Sequence, residues 1–466
     1  MCGCFAAGFG CIRCMPFASF NPATGQRIAR RPSHSRAQAF AIVARAERAA
    51  QPWRSTALAE RARTLRAVGR ELRRRRDDLA ALLTAEVGKP IRQSRAEIEK
   101  CAAGCEYFAA HAARALRPQH PIGAPRHARV VFEPLGIVLG IMPWNFPFWQ
   151  TFRAAAPALM AGNVLLFKPA PSTAGCALAI EAVFDAVAPK GLLRTLLVET
   201  DAVATLIADA RVRGVTLTGS TRAGRAVAAL AGGAMKPGVF ELGGSDAYLV
   251  LDDADLDHAA AVCAQARLVN SGQSCIAAKR FIVLAAVRGE FERRFVAHMT
   301  AAKVGDPTDP ATDVGPLARA DLCDQLHRQV KRSVQRGARV LLGGAPAPGA
   351  GFYYEPTVLS RVRPGMPAFD EELFGPVAAV ISARDETEAI ALANRSIYGL
   401  GAAVFTRDRR RARRIAEQLE AGFIVTNDFV RSDPTLPFGG VKQSGYGREL
   451  GDWGVTSFVN VKTVIG

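Results

Sequence analysis

From residue 135 onward the chain repeats one pattern: a short apolar run, an amphipathic segment of helical period, then another apolar run. GIVLGIMP, NVLLFKPA and GVTLTG are separated by Ala-rich stretches, with a further strand expected around residues 195–198. AYLVL, RFIVL, ARVLLGG, AAVIS, GAAVF and GFIVT continue the series after residue 242. Runs this short and this apolar are strands buried on both faces. Alternating with helices, they fold as parallel sheets covered by two helical layers. At 466 residues the chain is too long for one hydrophobic core, so two such α/β lobes are expected.

Ahead of this pattern, residues 15–30 read as a short strand with turns at Asn21-Pro22 and Thr24-Gly25. Residues 35–116 have long helical periodicity, with breaks expected at Gln51-Pro52 and Gly88-Lys89-Pro90. RHARVVFE, ending at Glu133, is extended, and the alternating tail SFVNVKTVI is a pairing partner for it. The most apolar window, residues 135–149, is interrupted by Pro143, Asn145 and Pro147, so no membrane span is expected.

A formal charge of +18 raises nucleic-acid binding as a function. The basic residues are spread along helices, however, and the one dense run, Arg73 to Arg76, leads directly into Asp77 and Asp78. This reads as a solvated helix face, and no nucleic-acid partner is expected. Ten cysteines follow no metal or disulfide spacing. Cys2, Cys4, Cys11 and Cys14 crowd a terminal stretch (residues 1–14) that reads as a disordered extension, with Met15 an alternative start. Unpaired thiols and the lack of a basic, then apolar, leader imply the cytoplasm.

In parallel sheets ligands bind beyond the carboxyl ends of the strands. Asn145, Lys168 and Gly219-Ser220 each follow a strand, so they fall along one rim. VTLTGSTRAGR, with Gly219 and Gly224, offers free backbone N–H groups for a pyrophosphate, and is equally well read as a plain capped helix. Asn145, among two Trp, two Phe and two Pro, is either a structural turn residue or an oxyanion donor. Lys168 suits ribose or phosphate contacts, or a surface position before a turn. EELFGPV, with Glu372 and Phe374, and the Gly-rich LPFGGVKQSGYGRE, with Phe438, each pass alone as turns. Cys275 sits after the small-residue loop NSGQS, an accessible setting for a nucleophile, although a free Cys is most often simply buried.

Together these motifs, in this order, resemble the aldehyde dehydrogenase superfamily over essentially the whole chain from about Phe20. FELGGSD and NSGQSC, with 34 positions from Glu241 to Cys275, are similar to the family's base and nucleophile motifs. GSDAYLVLDDADLDHA, SCIAAKRFIV and VGPLARADLCDQLHRQV most resemble bacterial succinate-semialdehyde dehydrogenases. The resemblance implies a Rossmann-type NAD-binding domain (15–117 and 134–240), an α/β catalytic domain (241–435) and a small β oligomerisation element with the tail (118–133 and 436–466).

By the same resemblance Cys275 is the nucleophile, Glu241 the general base, and the Asn145 amide with the Cys275 N–H the oxyanion hole. Trp144, Lys168, Gly219, Ser220, Gly224, Leu242, Glu372 and Phe374 hold NAD or NADP, and no metal takes part. A Glu at 241 favours water over coenzyme A as acyl acceptor. Arg153 matches an Arg that related enzymes use for the substrate carboxylate. A second such Arg is Val269 here, with Arg431 and Ser432 as substitutes and Phe438 at the pocket mouth. Pro171, Ser172 and Thr173 stand where many NAD-preferring relatives carry a repelling Glu, so NADP is admitted. The implied assembly is a homodimer or homotetramer. Two alternatives stay open: a dehydrogenase of another aliphatic or aromatic aldehyde, and a non-catalytic binding protein on the same fold.

Overall fold

The structure, a computed structural model, describes residues 17–466. The cysteine-rich start (residues 1–14, and Met15) therefore lies outside the described residues. The expected strand near the start is Phe17–Phe20, paired antiparallel with a second strand, Arg27–Arg31, and four helices follow, Arg36–Ser55, Leu58–Arg74, Arg76–Val87 and Ile91–Ala115. Ser35 starts the first with a capping box: its hydroxyl accepts from the Gln38 N–H while the Gln38 side chain accepts from Ser35. The break expected at Gln51-Pro52 does not occur there; the helix runs through Pro52 to Ser55. Pro52 forfeits the bond its own N–H would have made one turn back, but only three helical residues follow it, and its carbonyl accepts from the Ser55 and Thr56 hydroxyls. The helices do end before Gly88, whose left-handed backbone (φ +78°) caps Arg76–Val87. The basic run 73–76 spans the junction of two helices, with Arg73 ion-paired to Glu99 and Glu106, and Arg74 to Glu71.

The first large sheet has six strands in the order Gly445–Tyr446, Gly238–Glu241, Val212–Thr218, Ile137–Ile141, Val164–Lys168, Leu193–Thr195. All pair in parallel except Gly445–Tyr446. The strand expected at 195–198 thus lies earlier, at Leu193–Thr195, where it reaches the Val164–Lys168 ladder. Val164, Leu165 and Leu166 are fully buried, each such side chain worth about 1.5–3 kcal/mol. Helix Pro147–Met160 is buried at every position, because helix Ile91–Ala115 covers the side that the sheet does not.

The second sheet has seven strands, Arg339–Leu342, Thr357–Ser360, Val377–Ala383, Arg280–Leu284, Ala247–Val250, Gly401–Phe405 and Phe423–Thr426. Only the first of these is antiparallel to its neighbour. The chain leaves the carboxyl end of the first sheet at Glu241 and enters the second at the amino end of Ala247–Val250. Loops at the carboxyl ends of one sheet therefore face loops at the amino ends of the other. Residues 436–458 pack back on the first lobe, through Gly445–Tyr446 and helix Gly451–Thr456. The last strand, Val459–Ile465, then pairs antiparallel with Ala128–Pro134 as a separate ribbon. No described helix is long and apolar enough to cross a membrane.

Candidate active site

Cys275 lies in the loop that enters the central strand Arg280–Leu284. Asn270, Ser271 and Gly272 are all left-handed, with φ of +52°, +54° and +76°. Such backbone costs a non-glycine residue of order 1 kcal/mol or more, and it persists only where the surroundings hold it. Here the Asn270 amide donates to the Asn145 and Gln273 carbonyls (2.9 and 3.1 Å), and Ser271 Oγ accepts from Gly315 N–H (3.0 Å). At Gly272 a Cβ would stand 2.2 Å from the Gly375 carbonyl oxygen. Lys279, fully buried, donates to the carbonyls of Ser274, Cys275 and Ala277 at 2.9–3.0 Å. From the other side Gly244 approaches so closely that a Cβ would lie 2.5 Å from the Cys275 carbonyl oxygen. The loop is therefore locked by hydrogen bonds, and the thiol is partly exposed at its end.

Asn145 meets this loop directly. Its Nδ2 donates to the Gln273 carbonyl (3.0 Å), and its Oδ1 accepts from Gln150 Nε2 (3.1 Å), which fixes the orientation of the amide. Glu241 lies deeper: its carboxylate is buried, and neither oxygen has a hydrogen-bond partner. Burial pushes its carboxyl well above the ordinary range, opposed by Arg153 and reinforced by Glu449. Arg153 is ion-paired to Glu449, donates to Thr218 Oγ1 (3.1 Å), and stands 4.9 Å from the Phe438 ring. Two buried carboxylates thus share one guanidinium. Burial pushes the Glu449 carboxyl up as well, but Glu449 holds the ion pair and also accepts from Thr216, which leaves Glu241 the less stabilised anion of the two. Burial also pushes the Cys275 thiol up to about 12, against the pull of Arg153 and Lys279.

Two cavities meet at the thiol. One, of about 680 Å³, is lined by Phe146, Trp149, Arg153, Arg431, Ser432 and Phe438, among others. The second, of about 650 Å³, is lined by Trp144, Asn145, Gly219, Ser220, Leu242, Glu372 and Phe374. Cys275 and Gln150 border both. The second cavity suits a dinucleotide: helix Thr221–Gly233 opens on it with free N–H groups, and Arg222 adds positive charge. Trp144 and Phe374 meet edge to face there (5.7 Å), and Glu372 accepts from the Gly244 N–H.

Not every expected residue reaches a cavity. Lys168 Nζ turns back to the Pro169 carbonyl (3.2 Å), and Gly224 packs on the Leu242 side chain; neither borders the second cavity. Ser220 caps its helix, its hydroxyl accepting from Ala223 N–H, as well as lining the cavity. Phe438 is a buried wall and not a mouth. Arg153 is not a free cation, since Glu449 already holds it. Sequence reasoning passed over Lys279, Glu449, Gln150 and Lys100. Lys279 had a signal, one of two adjacent charges in the otherwise apolar run IAAKRFIV; the others had none, because only the fold brings them to the site. Among the described residues no group of three or more His, Cys, Asp or Glu is placed to hold a metal ion.

Residues 13–464 match the sequence profile described as the "Aldehyde dehydrogenase family". A succinate semialdehyde dehydrogenase [NAD(P)+], Sad, of Escherichia coli K12 is 46% identical over 447 residues, covering 96% of this chain and 97% of that protein. A succinate-semialdehyde dehydrogenase [NADP(+)] of Mycobacterium avium is 46% identical over 456 residues, covering 97% and 96%. Among solved structures, succinic semialdehyde dehydrogenase from Streptococcus pyogenes in complex with NADP+ superposes with a TM-score of 0.93 at 35% identity, covering 96% and 99% of the two chains. A match of that extent, on a fold whose two lobes converge on one cysteine, has one meaning: this chain belongs to the aldehyde dehydrogenase family.

Proposed function

We propose that this enzyme oxidises succinate semialdehyde to succinate with NAD or NADP, Cys275 being the nucleophile, Glu241 the general base and Asn145 an oxyanion donor. The observation that carries this reading is Cys275 as a shared wall of two cavities, one suited to a substrate and the other to a dinucleotide. Attack requires the thiolate, which Arg153 and Lys279 favour electrostatically. The thiohemiacetal oxyanion then takes hydrogen bonds from Asn145 Nδ2 and the Cys275 N–H. A nicotinamide dinucleotide bound in the second cavity supplies the hydride acceptor, with Trp144, Gly219, Ser220, Leu242, Glu372 and Phe374 as its contacts. Lys168 would join that set only if its side chain swings round, and Gly224 would serve it indirectly, through its close packing on Leu242. The thioester on Cys275 is released by a water that ionised Glu241 activates.

The identity of the substrate rests on the named relatives and on the basic lining of the first cavity, where Arg153, Arg431, Ser432 and Phe438 stand. Proline, serine and threonine at 171–173 present no carboxylate against a 2′-phosphate, which supports use of either dinucleotide. Exposed apolar Val461 and Ile465 on the ribbon support self-association as a homodimer or homotetramer, and a monomeric mass in solution would remove that part. Six free thiols among the described residues fit a reducing, cytoplasmic setting.

Replacing Cys275 with Ala should abolish dinucleotide reduction with every aldehyde while leaving dinucleotide binding intact. Turnover by that variant within tenfold of the unmodified enzyme would refute the assignment.

A further inference from the structure

The first cavity is lined by four Lys and Arg side chains, and three of them are already matched. Arg92 is ion-paired to Asp313 (2.7 Å), Arg153 to Glu449, and Arg431 to Asp428. The fourth, Lys100, comes from helix Ile91–Ala115, and no carboxylate among the described residues lies within ion-pair distance of it. Its one hydrogen bond is to Ser432 Oγ (2.9 Å), and its ammonium stands 4.4 Å from the Trp149 ring centroid. Two of its three N–H bonds therefore have no acceptor in the protein.

Ser432 completes the arrangement. Its hydroxyl accepts from Lys100 Nζ and from Trp149 Nε1, both at 2.9 Å. With both lone pairs occupied, its own proton is free to be given away. An ammonium and a hydroxyl with unused donors, side by side on one wall, make a receptor for an oxyanion.

We propose that Lys100, acting with the Ser432 hydroxyl, anchors the carboxylate of the aldehyde substrate and sets the preference for an ω-carboxylated aldehyde over an uncharged one. This rests on the substrate reading given above. The role falls to Lys100 because the guanidinium of Arg153 is committed to Glu449, and a further anion there would compete with a buried ion pair. Burial and the neighbouring Arg153 lower the Lys100 ammonium to about 8 against the weaker opposing pull of Cys101, Glu97 and Asp433, and neither carboxylate comes within ion-pair distance of it.

The test is the ratio of kcat/KM for succinate semialdehyde to that for hexanal. In Lys100→Met the ratio should fall by about 10- to 100-fold, the size expected for one charge-assisted hydrogen bond, through KM more than kcat. Lys100→Arg should recover most of it. In the unmodified enzyme the same ratio should fall as pH rises through about 8, where the ammonium loses its charge; Cys275 and Glu241 titrate in both numerator and denominator and cancel. A ratio unchanged in Lys100→Met, or flat across that pH range, would overturn the role of Lys100 alone. If the unmodified enzyme itself prefers hexanal, the substrate reading fails and this proposal with it.

Discussion

Arg153 is the principal positive charge against which Glu241, Glu449 and Cys275 are balanced. From sequence it matched a substrate-binding Arg; in the fold its nearest anion is a residue of the protein. Removing it therefore does more than weaken substrate binding. Arg153→Ala leaves two carboxylates buried side by side, so the carboxyl of Glu241 moves further up and less base is ionised at neutral pH. Each unit of such a shift is about tenfold in the ionised fraction. The expected result is a fall of about 10–100-fold in kcat for succinate semialdehyde and hexanal alike, with the acid limb of the pH–rate profile moved to higher pH. In the proposed mechanism Glu241 and Cys275 both work deprotonated and burial raises both, so activity in the unmodified enzyme should also climb from neutral to alkaline pH. An effect of Arg153→Ala confined to the KM for the semialdehyde would return Arg153 to the role of plain carboxylate ligand.

The loop at residues 270–275 is the element on which the chemistry depends. Its small residues were legible as an approachable turn, but its reason is contact: three left-handed residues in succession, with the Gly375 carbonyl pressed against Gly272. A methyl group at 272 meets backbone that cannot move aside, on a φ of +76° that alanine adopts poorly. Gly272→Ala should cost about 1–3 kcal/mol of stability and reduce turnover further than stability alone explains, because the sulfur shifts with the loop. Thermal unfolding and kcat on one preparation decide this; a variant with unchanged melting and turnover would show that the loop is slack. The strands were equally legible, since each is an apolar run bounded by turns. Pro52 misled as a helix break because sequence does not reveal that it falls in a last turn. Glu449 and Lys100 were hidden for a different reason: strand Gly445–Tyr446 and helix Ile91–Ala115 reach the site by tertiary packing, which leaves no mark in local pattern.

At the scale of the whole molecule, two parallel sheets are set so that the carboxyl ends of one face the amino ends of the other, and the chain crosses between them just after Glu241. That arrangement is why Asn145 and Cys275, far apart in sequence, meet on the wall of the second cavity, while Glu241 borders neither cavity and lies buried near enough to act on the thiol electrostatically. The central claim is that the aldehyde carbon becomes bonded to this one sulfur and is freed by water that Glu241 activates. In Glu241→Gln the substrate should pass hydride to the dinucleotide once, leaving the acyl group on the thiol, and the enzyme should then stall. Mass spectrometry of that variant, after incubation with succinate semialdehyde and NADP, measures the claim directly. The account predicts one succinyl group on the peptide that contains Cys275, absent when the aldehyde or the dinucleotide is left out. A stalled enzyme with an unmodified Cys275, or an acyl group carried by another cysteine, would contradict it.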